Sequence, residues 1–263
     1  MTAILSVTGL EKTFGSVTAA RDISCEIPAG QTVGIIGANG AGKTTFVNLI
    51  TGHLAPSKGC VRFEGRDVTG LPSRSICRLG ISRSFQVAQI FPTMSVFENM
   101  CTAVAIAKAG GSLVRGATRA LHAQATIEDA ETALALFSLS ASRNARASTL
   151  PQGLRKLLDI AMASAGHPRL LLLDEPTSGI SVEEKYQLMD TIMGALKTRG
   201  ITVLFVEHDM EIVQRFADRV LAFYDGTVIA DGPPAIALAD AKVREFVTGT
   251  TIHVRTPPGG AHA

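Results

Sequence analysis

The sequence predicts an α/β fold: a mostly parallel sheet with helices on both sides. Three observations predict it. Strand-like runs rich in β-branched residues alternate with helical patterns, which is the signature of a parallel sheet. The run LLLL at 170–173 has the unbroken apolar character of a strand buried on both faces. Between them, from about 87 to 165, strand signals fade and helical patterns take over. That stretch reads as an inserted helical subdomain, with the sheet resuming at RLLLLDE.

In chain order, AILSV, ISCEI and TVGII read as short strands punctuated by Gly or Pro. GANGAGKTT follows, and FVNLITGHL continues as a helix. CVRF and GISRSF read as further strands. Ser95 and Glu98 have the spacing of a capping box, so a helix starts there. Residues 100 to 148 are Ala-rich and helical, broken by the glycines and basic residues of KAGGSLVRGATR, within a loop at 107–124. After LPQG, the apolar residues Leu157, Leu158, Ala161, Met162 and Ala165 fall on one helical face. Ser181 and Glu184 form a second capping box, opening a helix that buries Leu188, Met189, Ile192, Met193 and Leu196 and ends at Gly200. ITVLFVEHD is strand-like and EIVQRFAD helical. RVLAFYDGTVIADG is a hairpin turning at Asp225-Gly226. The expected domain is 1–250, with 251–263 a loose tail.

Bulk properties narrow the function classes. The chain has 263 residues, 46% hydrophobic, enough for one sizeable core. A net charge of +2 gives no strong attraction to polyanions, so no nucleic-acid partner is expected. The four cysteines, Cys25, Cys60, Cys77 and Cys101, form no C-x-x-C pair, which argues against a disulfide frame or a zinc site. No apolar run reaches the eighteen or so residues of a membrane span. Glu11 and Lys12 interrupt the N-terminus where a secretion signal needs apolar residues. The expectation is a cytoplasmic protein that reaches a membrane only through a partner.

Two segments carry chemistry. GANGAGKTT, residues 37–45, fits G-x-x-x-x-G-K-[ST] between a strand and a helix. Gly37, Gly40 and Gly42 let backbone N–H groups turn onto phosphate oxygens, Lys43 adds a cation, Thr44 offers a hydroxyl to Mg²⁺, and the helix N-terminus adds its dipole. LLLLDE supplies Asp174 at a strand end for Mg²⁺, and then Glu175, where a carboxylate polarises an attacking water. An apolar strand ending in acidic residues is common by itself. Joined to the Lys43 loop, it points to metal-assisted phosphoryl transfer from a nucleoside triphosphate.

The order GANGAGKTT, SFQ, LPQGLRKLLDIAMA, LLLLDEPTSG and VEHD resembles the ATP-binding subunits of ABC transporters, from about residue 4 to 249. The resemblance implies the P-loop, RecA-like ABC ATPase fold with an N-terminal antiparallel β part, and ATP with Mg²⁺ as ligands. It implies nucleotide contacts from Gly37, Asn39, Gly40, Ala41, Gly42, Lys43, Thr44 and Thr45. Phe14 matches the aromatic that stacks on adenine, although a lone Phe is usually core. Gln86 matches the glutamine that reaches Mg²⁺ and water and senses the permease. His208 matches the histidine on the γ-phosphate, and VAQIFPTMSVFENM the wall of the groove for a permease helix. By the same resemblance, metal contacts fall to Thr44, Gln86 and Asp174, and catalysis to Glu175, His208 and Gln86.

The family's loop usually reads LSGGQ and binds the γ-phosphate held by the opposite subunit. Here Pro151, Gln152 and Gly153 stand in it. Proline has neither the hydroxyl nor the N–H of serine. Losing one such contact costs on the order of 1–3 kcal/mol. Ser181 replaces the family's usual aspartate, and also caps the next helix. The groups acting on the chain's own nucleotide are complete, and those acting on the partner's are altered. That pattern suits a heterodimer with a second ATPase; a homodimer tolerant of proline is the competing reading. The long segment between Gln86 and Leu150, LPQG and VEHDMEIV are most similar to the ATPases of branched-chain amino acid importers, which implies permease partners, an external solute-binding protein and a peripheral place on the cytoplasmic face of the inner membrane. An ATPase of a lipid or lipopolysaccharide exporter, or of a urea or amide importer, is the alternative; a translation or repair ATPase and a nucleotide-binding regulatory module fit less well.

Overall fold

The structure is a computed structural model and describes residues 3–109 and 123–247. Its first unit is antiparallel. β1 (Ala3–Phe14) and β2 (Val17–Pro28) form a long hairpin, and β4 (Lys58–Phe63) and β5 (Arg66–Asp67) complete a four-stranded sheet in the order β2-β1-β4-β5. β1 and β2 are twelve residues each, far longer than AILSV and ISCEI suggest. The pairing shifts register between Val7 and Leu10 and again around Lys12, so the apolar alternation breaks halfway.

The second sheet has six strands in the order β10-β9-β3-β8-β7-β6. β3 (Thr32–Gly37), β6 (Ile81–Arg83), β7 (Leu170–Asp174), β8 (Thr202–Val206) and β9 (Arg219–Tyr224) run parallel. β10 (Thr227–Gly232) closes the edge as the antiparallel arm of a hairpin. Its turn, Asp225-Gly226, has φ of 44° and 76°, the positive pair of a type I′ turn.

Why LLLL is a strand and not a helix is visible in what its leucines touch. Leu171 and Leu173 belong to one apolar cluster, Leu170 and Leu172 to the other. Val203 and Phe205 of β8 alternate with Leu204 and Val206 in the same way. The parallel sheet is therefore the wall between two cores. Each buried aliphatic side chain stabilises by roughly 1.5–3 kcal/mol relative to exposure. One core packs the sheet on the antiparallel unit and on α1 (Lys43–Ile50). The other packs it on the helices that follow β6.

Those helices leave the sheet between β6 and β7. α3 (Val96–Lys108) follows the shorter α2 (Ser73–Leu79) and opens with a complete capping box: Glu98 N–H donates to Ser95 Oγ at 3.1 Å and Ser95 N–H to the Glu98 carboxylate at 2.7 Å. α4 (Gln124–Leu136) packs beside it, and α5 (Gln152–Ala163) returns the chain to β7. α6 (Val182–Thr198) is capped by Ser181, which accepts from the Glu184 amide at 3.3 Å; its cap rests on that side of the box. α7 (Met210–Phe216) follows β8 with Asp209 as its cap. Two short helices, α8 (Pro234–Ala237) and α9 (Ala241–Phe246), end the described chain. The basic loop expected at 107–124 lies mostly outside the described residues, and so does the tail expected at 251–263; Lys108, at the loop's edge, is ion-paired with Asp129 at 2.7 Å.

Candidate nucleotide site

The carboxyl ends of β3, β7 and β8 meet at one place. Adjacent parallel strands end in step there, with Asp174 beside Val206 and Ile35 beside Val206. Three loops leave those ends: Gly37–Gly42 after β3, Glu175–Ser181 after β7, and Glu207–Asp209 after β8. They enclose a cavity of about 160 Å³ lined by Asn39, Gly40, Ala41, Gly42, Lys43, Thr44, Thr45, Glu175, Val206 and His208. Seven of these come from the glycine-rich loop, and the chain separation of the rest shows that folding, not sequence proximity, assembles the site.

The loop is shaped for anions. Gly42 caps α1 with φ of 100°, and a Cβ there would sit 2.7 Å from the Ala19 carbonyl oxygen, so the position accepts only glycine. α1 has no side-chain cap, which leaves its first N–H groups and its dipole aimed into the cavity. The Lys43 ammonium donates to the carbonyls of Gly37 at 2.6 Å and Ala38 at 2.9 Å. Burial pulls the Lys43 pKa below its ordinary value, and the Glu175 and Asp174 carboxylates oppose that. Thr44 is exposed at the helix start.

Opposite the loop stands Glu175. Its φ of +48° is a left-handed conformation that a non-glycine residue adopts only when its surroundings impose it. Its N–H donates to the Val206 carbonyl at 3.0 Å. Gln86 Nε2 donates to Glu175 Oε2 at 2.8 Å, and His208 Nε2 donates to Oε1 at 2.9 Å. The three residues assigned to catalysis from the sequence are thus brought into one hydrogen-bonded row, of which Glu175 and His208 line the phosphate cavity and Gln86 stands behind Glu175. A carboxylate has about four acceptor positions, so Glu175 retains capacity for a water proton.

Asp174 lies just behind. Arg83 donates to its Oδ2 at 2.6 Å, which orients the carboxylate and leaves Oδ1 clear of that pair. Thr44, Asp174 and Gln86 carry a hydroxyl, a carboxylate and a carboxamide oxygen, the hard donor chemistry that Mg²⁺ takes. Phe14 lies apart: it is 48% exposed at the end of β1, under the Lys12 ammonium, and is no part of the cavity lining.

The altered loop is also separate. Pro151 caps α5 without any side-chain hydrogen bond, and its carbonyl takes the first helical bond from Arg155 N–H at 3.1 Å. Gln152 reaches across to the Ser178 carbonyl at 3.3 Å. Pro151, Gly153 and Leu154 border a second cavity with Ile180 and Glu184 of the segment after β7. In VAQIFPTMSVFENM the apolar residues divide: Val96 and Met100 are core, whereas Val87, Phe91 and Met94 are exposed.

Three polar groups that the sequence did not single out hold the site. Glu207, buried, accepts from Thr177 N–H at 3.0 Å and Thr177 Oγ1 at 2.7 Å, and from its neighbour His208 N–H at 3.2 Å. It pins the Glu175 loop to the His208 loop, and its pKa is pushed up by burial and held back by those bonds. Lys156 and Asp159 of α5 are both buried. Burial lowers the Lys156 pKa, opposed by Asp159, Asp174, Glu175 and Glu207; burial raises that of Asp159, opposed by the amides of Gln89 and Phe85 and by Lys156. The one signal for them was a Lys and an Asp at i, i+3 beside the apolar residues Leu157, Leu158, Ile160 and Ala161.

A phosphate-cradling loop on a parallel sheet, faced by a strand-end carboxylate pair, defines a P-loop nucleoside triphosphatase. Comparison with known proteins places the chain within that class. The sequence model described as ABC transporter matches residues 20–178. The high-affinity branched-chain amino acid transport ATP-binding protein LivG of Salmonella typhimurium is 34% identical over 235 residues, 88% of this chain and 92% of LivG. BraF of Pseudomonas aeruginosa, a protein of the same description, matches at 34% over the same shares. Among solved structures, a nucleotide-free ATP-binding cassette from an ABC transporter superposes with a TM-score of 0.80 at 30% identity, covering 93% of this chain and 98% of that one; an ADP-bound cassette matches equally well. The chain belongs to the ABC transporter family of ATP-binding proteins, and it is an ATPase.

Proposed function

We propose that this chain powers the uptake of branched-chain amino acids or a related small solute, hydrolysing ATP on the cytoplasmic side of transmembrane permease subunits. The row Gln86–Glu175–His208 at the phosphate cavity carries the hydrolytic part of the reading. The likeness to LivG and BraF over most of the chain supports the cargo class. Among the described residues no helix is long and apolar enough to cross a membrane, so the pathway for the solute belongs to partners.

In this reading the loop amides from Asn39 to Thr45 and Lys43 bind the β and γ phosphates. Glu175 accepts a proton from the attacking water, His208 orients the γ-phosphate, and Gln86 holds the Glu175 carboxylate in place. Thr44, Asp174 and Gln86 would hold Mg²⁺, which supplies charge neutralisation on the phosphates when bound. Phe14 stacks on adenine. The Pro151–Gly153 loop faces the nucleotide of a second ATPase subunit. Because that loop lacks the serine contact while the chain's own site is complete, the second subunit is a different chain. A solute-binding protein delivers cargo on the far side.

Gentle extraction of the tagged chain from its native membrane, with mass spectrometry of what accompanies it, tests this. Two different permeases and a second, distinct ATPase are expected. A single ATPase species with lipid-handling membrane proteins would contradict both the cargo and the heterodimer.

A further inference from the structure

Lys156 is an unusual residue for its place. It lies on α5 amid Leu157, Leu158, Ile160 and Ala161, and only 4% of it is exposed. Burying an ammonium is costly unless its donors are taken. Its Nζ donates to the carbonyl oxygen of Gln86 at 2.5 Å and to that of Glu175 at 3.2 Å. One ammonium thus joins the backbones of the two residues whose side chains form the 2.8 Å Gln86–Glu175 bond. One turn along, Asp159 Oδ1 accepts from Gln89 N–H at 2.7 Å, so a cation and an anion on one face of α5 hold both ends of the 86–89 segment.

We propose that Lys156 is a positioning residue for hydrolysis, one that registers the Pro151–Gly153 end of α5 against the Gln86 and Glu175 backbones. The inference rests on the role given to Glu175 above. Glu175 needs such a clamp: its left-handed backbone is held by the Val206 carbonyl on its N–H and by Lys156 on its own carbonyl. A shift of α5, whose first residues face the second nucleotide, moves the ammonium and both carbonyls together. ATP held across the dimer and the permease-facing Gln86 segment are then linked through one side chain. A purely packing role does not require nitrogen, since methionine fills similar volume.

The test compares K156M and K156R with the parent in steady-state ATP hydrolysis, nucleotide binding and hydrogen exchange. In K156M, kcat is expected to fall about tenfold or more, with nucleotide affinity within about threefold of the parent. Amide exchange at 86–89 and 175–177 is expected to speed up. K156R, which has donors for both carbonyls, is expected to recover kcat to within about threefold. Parental kcat in K156M, or an arginine variant no better than the methionine one, overturns the proposal. Should K156M not fold, K156Q serves: with a two-hydrogen amide on a shorter stem it gives intermediate kcat if the clamp matters and parental kcat if it does not. E175Q is measured alongside. If E175Q hydrolyses ATP like the parent, the role of Glu175 fails; if only the Lys156 series is silent, that role stands and the clamp alone is wrong.

Discussion

Arg83 and Asp174 form a nearly buried ion pair, Nη2 to Oδ2 at 2.6 Å, and the same guanidinium donates through Nη1 to Asn48 Oδ1 at 2.6 Å. One arginine at the end of β6 therefore ties the carboxylate at the end of β7 to the helix that follows the phosphate loop. Replacing it by methionine leaves a mostly buried carboxylate without its counter-charge. R83M is expected to lose on the order of 3 kcal/mol of unfolding free energy, read from urea denaturation. R83K, which keeps the charge but not the fork, is expected to lose less.

The acid limb of the stability profile has a partner in Asp209. Burial raises its pKa, but Lys185 and the amides of Ile212 and Glu211 outweigh burial and bring it below the ordinary carboxylate value of 3.8. A carboxyl depressed in the fold contributes stability that is present above its unfolded pKa and lost as pH falls through that value and below. D209N keeps the α7 cap, since Asn caps as well as Asp, and gives up only the charge. Its deficit is expected to be present at pH 7 and to shrink as the pH falls below the ordinary carboxylate value of 3.8 and through the depressed folded-state value. D209A is expected to retain a further deficit of about 1 kcal/mol at every pH.

Pro151 caps α5 with no side-chain acceptor. P151S supplies one, and is expected to stabilise the chain by roughly 0.5–1 kcal/mol in thermal or urea unfolding. Equal or lower stability would mean that the fixed proline backbone matters more than the missing cap.

Phe14 is half exposed and outside both apolar clusters. F14A is expected to leave the melting temperature within about two degrees, because little burial is lost. If the ring stacks on adenine, ATP affinity falls about two- to twelvefold, as loss of an aromatic stack commonly gives. Unchanged affinity would return Phe14 to an ordinary surface aromatic.

How much of this was legible in the sequence depended on range. The Asp225-Gly226 hairpin, the Ser95–Glu98 cap and the strand LLLL were readable because their causes are local: a turn pair, a three-residue spacing, an apolar run. β1 and β2 were read at half their length because register shifts break the alternation that marks a strand. The nucleotide loop, Asp174, Glu175 and His208 were readable as motifs in order. Arg83, Lys156, Asp159 and Glu207 were not. The partners of Lys156 lie 19 and 70 residues away, and Arg83 meets Asp174 across 91, so no local pattern records them.

In the proposed function Glu175, held between Gln86 and His208, performs hydrolysis. The most direct measurement is ATP turnover of E175Q against the parent, with nucleotide binding measured on the same preparations. Gln has the same shape and lacks the base. A fall in kcat of about a hundredfold or more, with ATP affinity within about threefold and an ATP-bound dimer that accumulates, is the expected result. Turnover equal to the parent would contradict it.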